Sequence, residues 1–238
     1  MIIMKKCLSF YLFWLLLCGA ISVALLTGCV SKNAGGGNAL HRKAISGLKK
    51  IAIVPFQAIT SDGPDIRFIR CPVCGTTFRT CAFAGTPEKR IEEILLKRIE
   101  SSEQYTLIPS GYVDGVYKRV SATSFGKSPL EILTAVGKEV GADGIIAGYL
   151  FYYMERKGFG YSVTEPASVA FCVHLIRVKD GVSVWKSVFD KTQSSLMENI
   201  FNILPFIKGG AKWITAEELS QEGIEEILKG FPDLKGDS

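Results

Sequence analysis

The first 29 residues constrain this chain more than anything after them. Lys5 and Lys6 open it, and no acidic residue occurs before Cys29. Leu8 to Leu26 is almost wholly apolar, with Phe10, Phe13, Trp14, Leu15, Leu16 and Leu17. A basic start, an apolar middle and a small-residue end (Thr27-Gly28) form the layout of a secretory signal rather than a folded element. The polar stretch that follows makes an uncleaved transmembrane helix the lesser reading, although the run is close to spanning length. The folding part of the chain is therefore Cys29 to Ser238, a size that fits one domain with a real core.

Leu26-Thr27-Gly28-Cys29 matches the signal box of bacterial lipoproteins. Thr27 and Gly28 are small enough to enter a narrow protease cleft, and the Cys29 thiolate is the nucleophile that can carry a lipid. The resemblance implies a diacylglyceryl thioether on Cys29 and an acyl group on its new amino terminus, several chains together making a stable anchor. Val30 and Ser31 follow it. The aspartate that holds lipoproteins at the inner membrane is absent, so the resemblance implies a periplasm-facing outer-membrane location. Residues 1–28 are then the signal peptide and 29–48 a lipidated tether, flexible through Gly35-Gly36-Gly37.

The formal charge of +5 falls to about +3 without Lys5 and Lys6, and the basic residues are scattered. Nothing in that balance argues for a nucleic-acid partner.

Periodicity predicts a single domain over 49–231, with a short tail at 232–238. Lys50 to Phe56 reads as a buried strand ended by Pro55. A long cysteine-bearing loop, 57–85, follows it. Thr86-Pro87 starts a helix whose Ile91, Ile94, Leu95 and Ile99 recur at helical spacing. Tyr105 to Pro109 is a short strand. Ser128-Pro129-Leu130-Glu131 is a capping box for a helix carrying Leu133, Val136 and Val140, with Gly141 as its stop.

Asp143 to about Met154 is the third strand. Ser168 to Val178 and Val182 to Lys191 form a hairpin through Lys179-Asp180-Gly181. Thr215-Ala216-Glu217-Glu218 caps a last helix with Leu219, Ile224, Ile227 and Leu228 on one side, stopped near Gly230. Leu196 to Ile207 reads as a core-covering helix or an interfacial contact. The expected fold is α/β: a mixed, partly parallel sheet of about five strands with packed helices, in the order β-α-β-α-β-β-β-α.

"KKIAIVPF", "YTLIPS", "VGADGIIAGYL" and "DGVSVWKS", in that order, resemble the superfamily of envelope lipoproteins related to the curli secretion channel subunit. That superfamily includes the activators of penicillin-binding proteins and the amino-terminal domain of the Tol propeller protein. The resemblance spans roughly Lys49 to Lys191 and is most specific in "GADGIIAG". It implies an accessory or binding component of an envelope assembly, with an envelope protein partner and homo-oligomers as expectations. A ring-forming channel subunit is the alternative. Channel relatives use two long hairpins per subunit, and only Tyr149 to Phe171 offers one, broken by Gly158, Gly160 and Pro166.

Cys71-Pro72-Val73-Cys74-Gly75, with Cys81 after it, carries the most specific chemistry. The C-P-x-C-G turn puts two sulfurs on one side of a tight loop, as in a zinc knuckle. A structural zinc needs four ligands, and beyond Cys81 the fourth must come from a distance, with Cys172 and His174 as candidates. Export favours disulfides for the same cysteines. A zinc- or redox-dependent envelope enzyme is the third functional class, resting on this loop alone.

Catalytic residues are otherwise not expected. His41 and His174 have no nucleophile or carboxylate at motif spacing, and neither a phosphate loop nor a H-E-x-x-H motif occurs. Tyr149, Tyr152, Phe159 and Tyr161 read as a sheet face or, functionally, as an aromatic contact surface.

Overall fold

A computed structural model describes residues 47–61, 65–159, 162–193 and 213–231. All of these residues lie in the second of two units into which the chain divides, His41–Ser238. Cys29, the tether up to residue 46, Leu196 to Ile207 and the tail lie outside the described residues.

A mixed sheet runs in the order β10-β9-β6-β1-β5. Its strands are β1 (Lys50–Ile53), β5 (Thr106–Leu107), β6 (Gly144–Met154), β9 (Ser168–Arg177) and β10 (Val182–Thr192). The two-residue β2 (Gln57–Ala58) continues beyond β1 along the same edge of β6. Pairing is parallel from β5 through β1 to β6, then antiparallel to β9 and β10. The expected α/β class and mixed sheet are present, while the element order is richer than expected.

Strand alternation sorts the core into two layers. Ile51, Ile53, Ile146, Leu150, Phe171, Val173 and Leu175 face one way. They are covered by α1 (Pro87–Glu100) and by α4 (Ala216–Leu228), whose Leu219, Ile224, Ile227 and Leu228 are buried. Arg90–Glu217 and Arg98–Glu225 ion pairs, at 2.7 and 3.2 Å, link the two helices at the surface. Being exposed and screened by solvent, each contributes little to stability.

The other face carries Ala52, Val54, Ile145, Ala147, Tyr149, Phe151, Ala170, Cys172 and Ile176. It is covered by α2 (Ser110–Thr123), by α3 (Pro129–Val140) and by a hairpin of β3 (Arg67–Arg70) and β4 (Thr77–Thr80). A second hairpin joins β7 (Lys157–Phe159) to β8 (Ser162–Glu165).

The local signals explain most of the boundaries. Ser128 and Thr215 both form complete capping boxes, with Glu131 and Glu218. Gly141 ends α3 at φ +70°, in the left-handed region that an L side chain avoids. Helix α4 ends at Leu228 with Lys229 as its cap, so it stops next to Gly230, where a stop was expected. Thr86 makes no side-chain cap, and Pro87 alone marks the start of α1.

The loop expected over 57–85 holds β2, β3 and β4, and α2 was not expected at all. Its Gly111 and Gly115 depress helix propensity and it has no side-chain cap. Burial of Val113 and Val116 against the sheet supplies what local preference lacks.

Two β-bulges overturn simple alternation. One between Leu150 and Tyr152 puts both Phe151 and Tyr152 in the same layer. Another between Ser183 and Trp185 puts Val184 in the layer of Trp185 and Phe189, rather than with exposed Val182 and Val188. The aromatic contact surface is corrected accordingly. Tyr149 and Tyr152 are 5% and 6% exposed, because β6 is a central strand covered on this side. Phe159 ends β7, and Tyr161 lies outside the described residues.

Pro55 interrupts the ladder after Val54, whose N–H still donates to Ile146 O. The Phe56 N–H then donates to Glu92 Oε2 of α1 at 2.8 Å. The Phe56 ring turns onto Gly148 of β6, where a Cβ would lie 2.0–2.3 Å from three ring carbons. Gly148→Ala should therefore destabilise by about 1–3 kcal/mol, as overpacked cores do, read as a lower midpoint in denaturant at unchanged slope.

Trp185 is buried, stacks edge-on against Phe231 and donates Nε1–H to Gly230 O at 2.8 Å. Trp185→Ala should cost about 3–5 kcal/mol. A thermal melt like the wild type's would contradict this packing.

Candidate metal centre

Two short segments, far apart in sequence, build the site. Residues 71–76 form the tip of the β3–β4 hairpin. The Cys71 N–H donates to Thr76 O at 2.8 Å and the Gly75 N–H to Cys71 O at 2.9 Å, closing the turn on itself. Gly75 adopts φ +71°, which only glycine takes at little cost. This turn presents both Cys71 and Cys74. The second segment is Cys172-Val173-His174 on β9. Alternate residues of a strand share a face, so Cys172 and His174 point together into the layer beneath the hairpin, while Val173 faces the opposite core.

The donor atoms of Cys71, Cys74, Cys172 and His174 all lie within 4.8 Å of one another. Cys71 Sγ is 3.3 Å from His174 Nε2 and 3.3 Å from Cys172 Sγ, and Cys172 Sγ is 3.2 Å from His174 Nε2. A tetrahedral zinc with its usual bond lengths sets such donors about 3.5–3.8 Å apart. The residues fit a Cys3His ligand set, and a small radial adjustment admits the ion. They can hold a structural metal ion such as zinc.

The electrostatics suit a cation. The Cys172 thiol donates to Cys71 Sγ. That bond, with His174 and the backbone around Val73 and Cys74, holds the Cys71 thiol far below its ordinary 9.0 in spite of burial. The same bond, and then burial, push the Cys172 thiol up. The two opposed shifts make Cys71 the more readily ionised sulfur of the pair. A metal would take the place of the Cys172 proton and share both sulfurs, so binding releases protons. His174 is fully buried and its Nδ1 has no hydrogen-bond partner among the described residues, whereas Nε2 faces the sulfurs. The Tyr149 ring stands edge-on beside the imidazole at 6.1 Å between centroids.

Cys71 and Cys74 come together as the knuckle spacing suggested, but Cys81 stands outside the cluster. It follows β4, is buried, and neighbours Tyr152 and Arg79; burial pushes its thiol up. Both distant candidates, Cys172 and His174, take part instead of one. The C-x-H pattern on a strand was the signal that could have found the pair. None of the four described cysteines is in a disulfide.

No family model matches the chain, and no curated protein matches it. Among solved structures, it is similar to the PelC dodecamer from Paraburkholderia phytofirmans (12% identity, 80% of this chain and 89% of that one, TM-score 0.42). It is also similar to a hypothetical protein from Chlamydia trachomatis (13%, 76% and 94%, TM-score 0.43). The LpoB C-terminal domain from Salmonella enterica matches at 12%, over 67% and 97%, with a TM-score of 0.36. Likenesses at these scores carry no argument about function.

Purified protein should contain one zinc per chain. Cys172→Ala and His174→Ala should each abolish it, whereas Cys81→Ser should not. Occupancy should fall as pH falls, because protons compete for the sulfurs and the imidazole. Metal analysis across a pH series reads all of this, and zinc that survives Cys172→Ala would exclude the ligand set.

Proposed function

We propose that the chain is a lipid-anchored envelope protein whose domain acts by binding a partner in an envelope assembly, not by catalysis. The observation that carries the reading is the Leu26-Thr27-Gly28-Cys29 box at the end of the apolar run, followed by a polar, glycine-rich tether. Such a layout delivers a folded domain to the membrane surface on several acyl chains. The outer membrane, facing the periplasm, is the location favoured by Val30 and Ser31 after the lipidated cysteine. Among the described residues no helix is long and apolar enough to cross a membrane.

The metal centre supports a binding role. A catalytic zinc keeps one coordination position for water or substrate, while a structural zinc is closed by four protein ligands. Here the protein offers four, three of them buried, so the ion's task is to hold the β3–β4 hairpin against β9. The β7–β8 hairpin, with strands of three and four residues, is short for a membrane-spanning stave.

Metabolic labelling with a clickable fatty acid tests the anchor. The wild-type chain should take up label and run at its processed size, whereas Cys29→Ala should stay unlabelled and unprocessed. An unlabelled wild-type chain of full length would falsify the lipoprotein reading.

A further inference from the structure

Two sulfurs of the metal centre already touch. Cys71 Sγ in the knuckle lies 3.3 Å from Cys172 Sγ on β9, and both residues are buried. Cys74 is turned aside, its thiol donating to Thr76 Oγ1 at 3.2 Å. Cys81 stands outside the cluster. The sulfur contact that the fold makes therefore joins the β3–β4 hairpin to the central sheet.

A metal and a disulfide ask opposite movements of this pair. A tetrahedral zinc sets its donors about 3.5–3.8 Å apart, so the two sulfurs draw back around it. A disulfide sets them about 2.0 Å apart, so they close on each other. Once they are bonded, Cys74 and His174 remain as two donors where a structural site needs four. The centre can be sealed in either way, but not in both at once. Each seal fixes the hairpin to β9.

We infer that Cys71 and Cys172 are a disulfide-forming pair, and that their bond expels the metal and replaces it as the clasp of the hairpin. The inference rests on the Cys3His reading of the centre, and on export only for a compartment in which disulfides persist. The co-reactant is an organic disulfide, R–S–S–R, the usual partner in thiol–disulfide exchange.

Cys74 is half-exposed while Cys71 and Cys172 are buried, so the oxidant meets Cys74 first. Cys74 Sγ attacks one sulfur of R–S–S–R, breaks that bond and releases the first R–SH. Cys71 Sγ then attacks Cys74 Sγ and releases the second. Cys172 Sγ attacks Cys71 Sγ and returns Cys74 to a thiol. At each step the attacking thiol's proton passes to the sulfur that leaves. Two protein thiols are oxidised, and R–S–S–R is reduced to two R–SH.

The full chain in detergent, loaded with zinc and then treated with oxidised glutathione, tests this. Zinc should be released in step with oxidation, one ion for each disulfide, as read with a metal-binding dye. Peptide mass spectrometry should map the bond to Cys71 and Cys172, with Cys74 and Cys81 still open to alkylation. A phosphine reductant should break the bond and restore zinc binding. Cys81→Ser should behave like wild type.

His174→Ala removes a metal donor and keeps both sulfurs. It should form the same bond about tenfold faster than the zinc-loaded wild type, because no ion occupies its sulfurs. Wild type stripped by a chelator makes the same comparison without a substitution. If the stripped chain stays reduced in oxidised glutathione, the inference is overturned and the ligand set stands. A bond mapped to Cys71 and Cys74, or to Cys81, also overturns it. A reduced chain that binds no zinc overturns the ligand set itself, and with it the exclusion of metal by disulfide.

Discussion

Strand β6 is hydrogen-bonded along both edges and covered on both faces. On one edge it holds β1 and β2 parallel to it, and on the other β9 antiparallel. Its residues Gly144 to Tyr152 are buried without a break. The parallel half of the fold and the antiparallel half meet on this one strand. Its alternating side chains supply both apolar layers, with Ile146 and Leu150 to one and Ile145, Ala147, Tyr149 and Phe151 to the other. Small residues at chosen places make that double coverage possible. Gly148 admits the Phe56 ring on one side, and the small Ala147 is buried in the layer across the sheet.

Much of this was legible from local chemistry. The apolar runs, the two capping boxes and the Asp-Gly turn placed five of the strands and three of the helices. These are signals that act within a few residues. The misses share a physical origin, because tertiary context decided them. Helix α2 has two glycines and no cap, and its stability comes from Val113 and Val116 meeting the sheet. Strand β3 buries no residue, β4 buries only Phe78 and Thr80 in four residues, and the pair is held by their shared knuckle and by Phe78 stacking on Phe151. The bulges in β6 and β10 shift alternation by one residue, which no period-two pattern announces.

The metal centre was half legible for the same reason. The Cys-Pro-x-Cys-Gly turn is a local motif with its own hydrogen bonds, and it reads directly from the chain. Which residues complete the set depends on the register of β9 beneath the hairpin. Cys81 is nearer in sequence, but it lies past β4 and sits beside Tyr152. Sequence proximity favoured the wrong cysteine, and strand geometry selected Cys172 and His174.

The two halves of that centre, Cys71 and Cys172, are 101 residues apart along the chain. Bringing such distant segments together carries a loop-closure cost that must be met before the contact returns anything. The knuckle alone offers two sulfurs, too few to close a tetrahedral site. A tight four-ligand grip appears only when β9 is in register beside β6 and the hairpin has folded over it. Metal capture is thus a report on completed topology. An ion held by all four residues marks a chain whose central sheet has already been assembled correctly, and a misregistered β9 turns Cys172 and His174 away and leaves the ion with half a site.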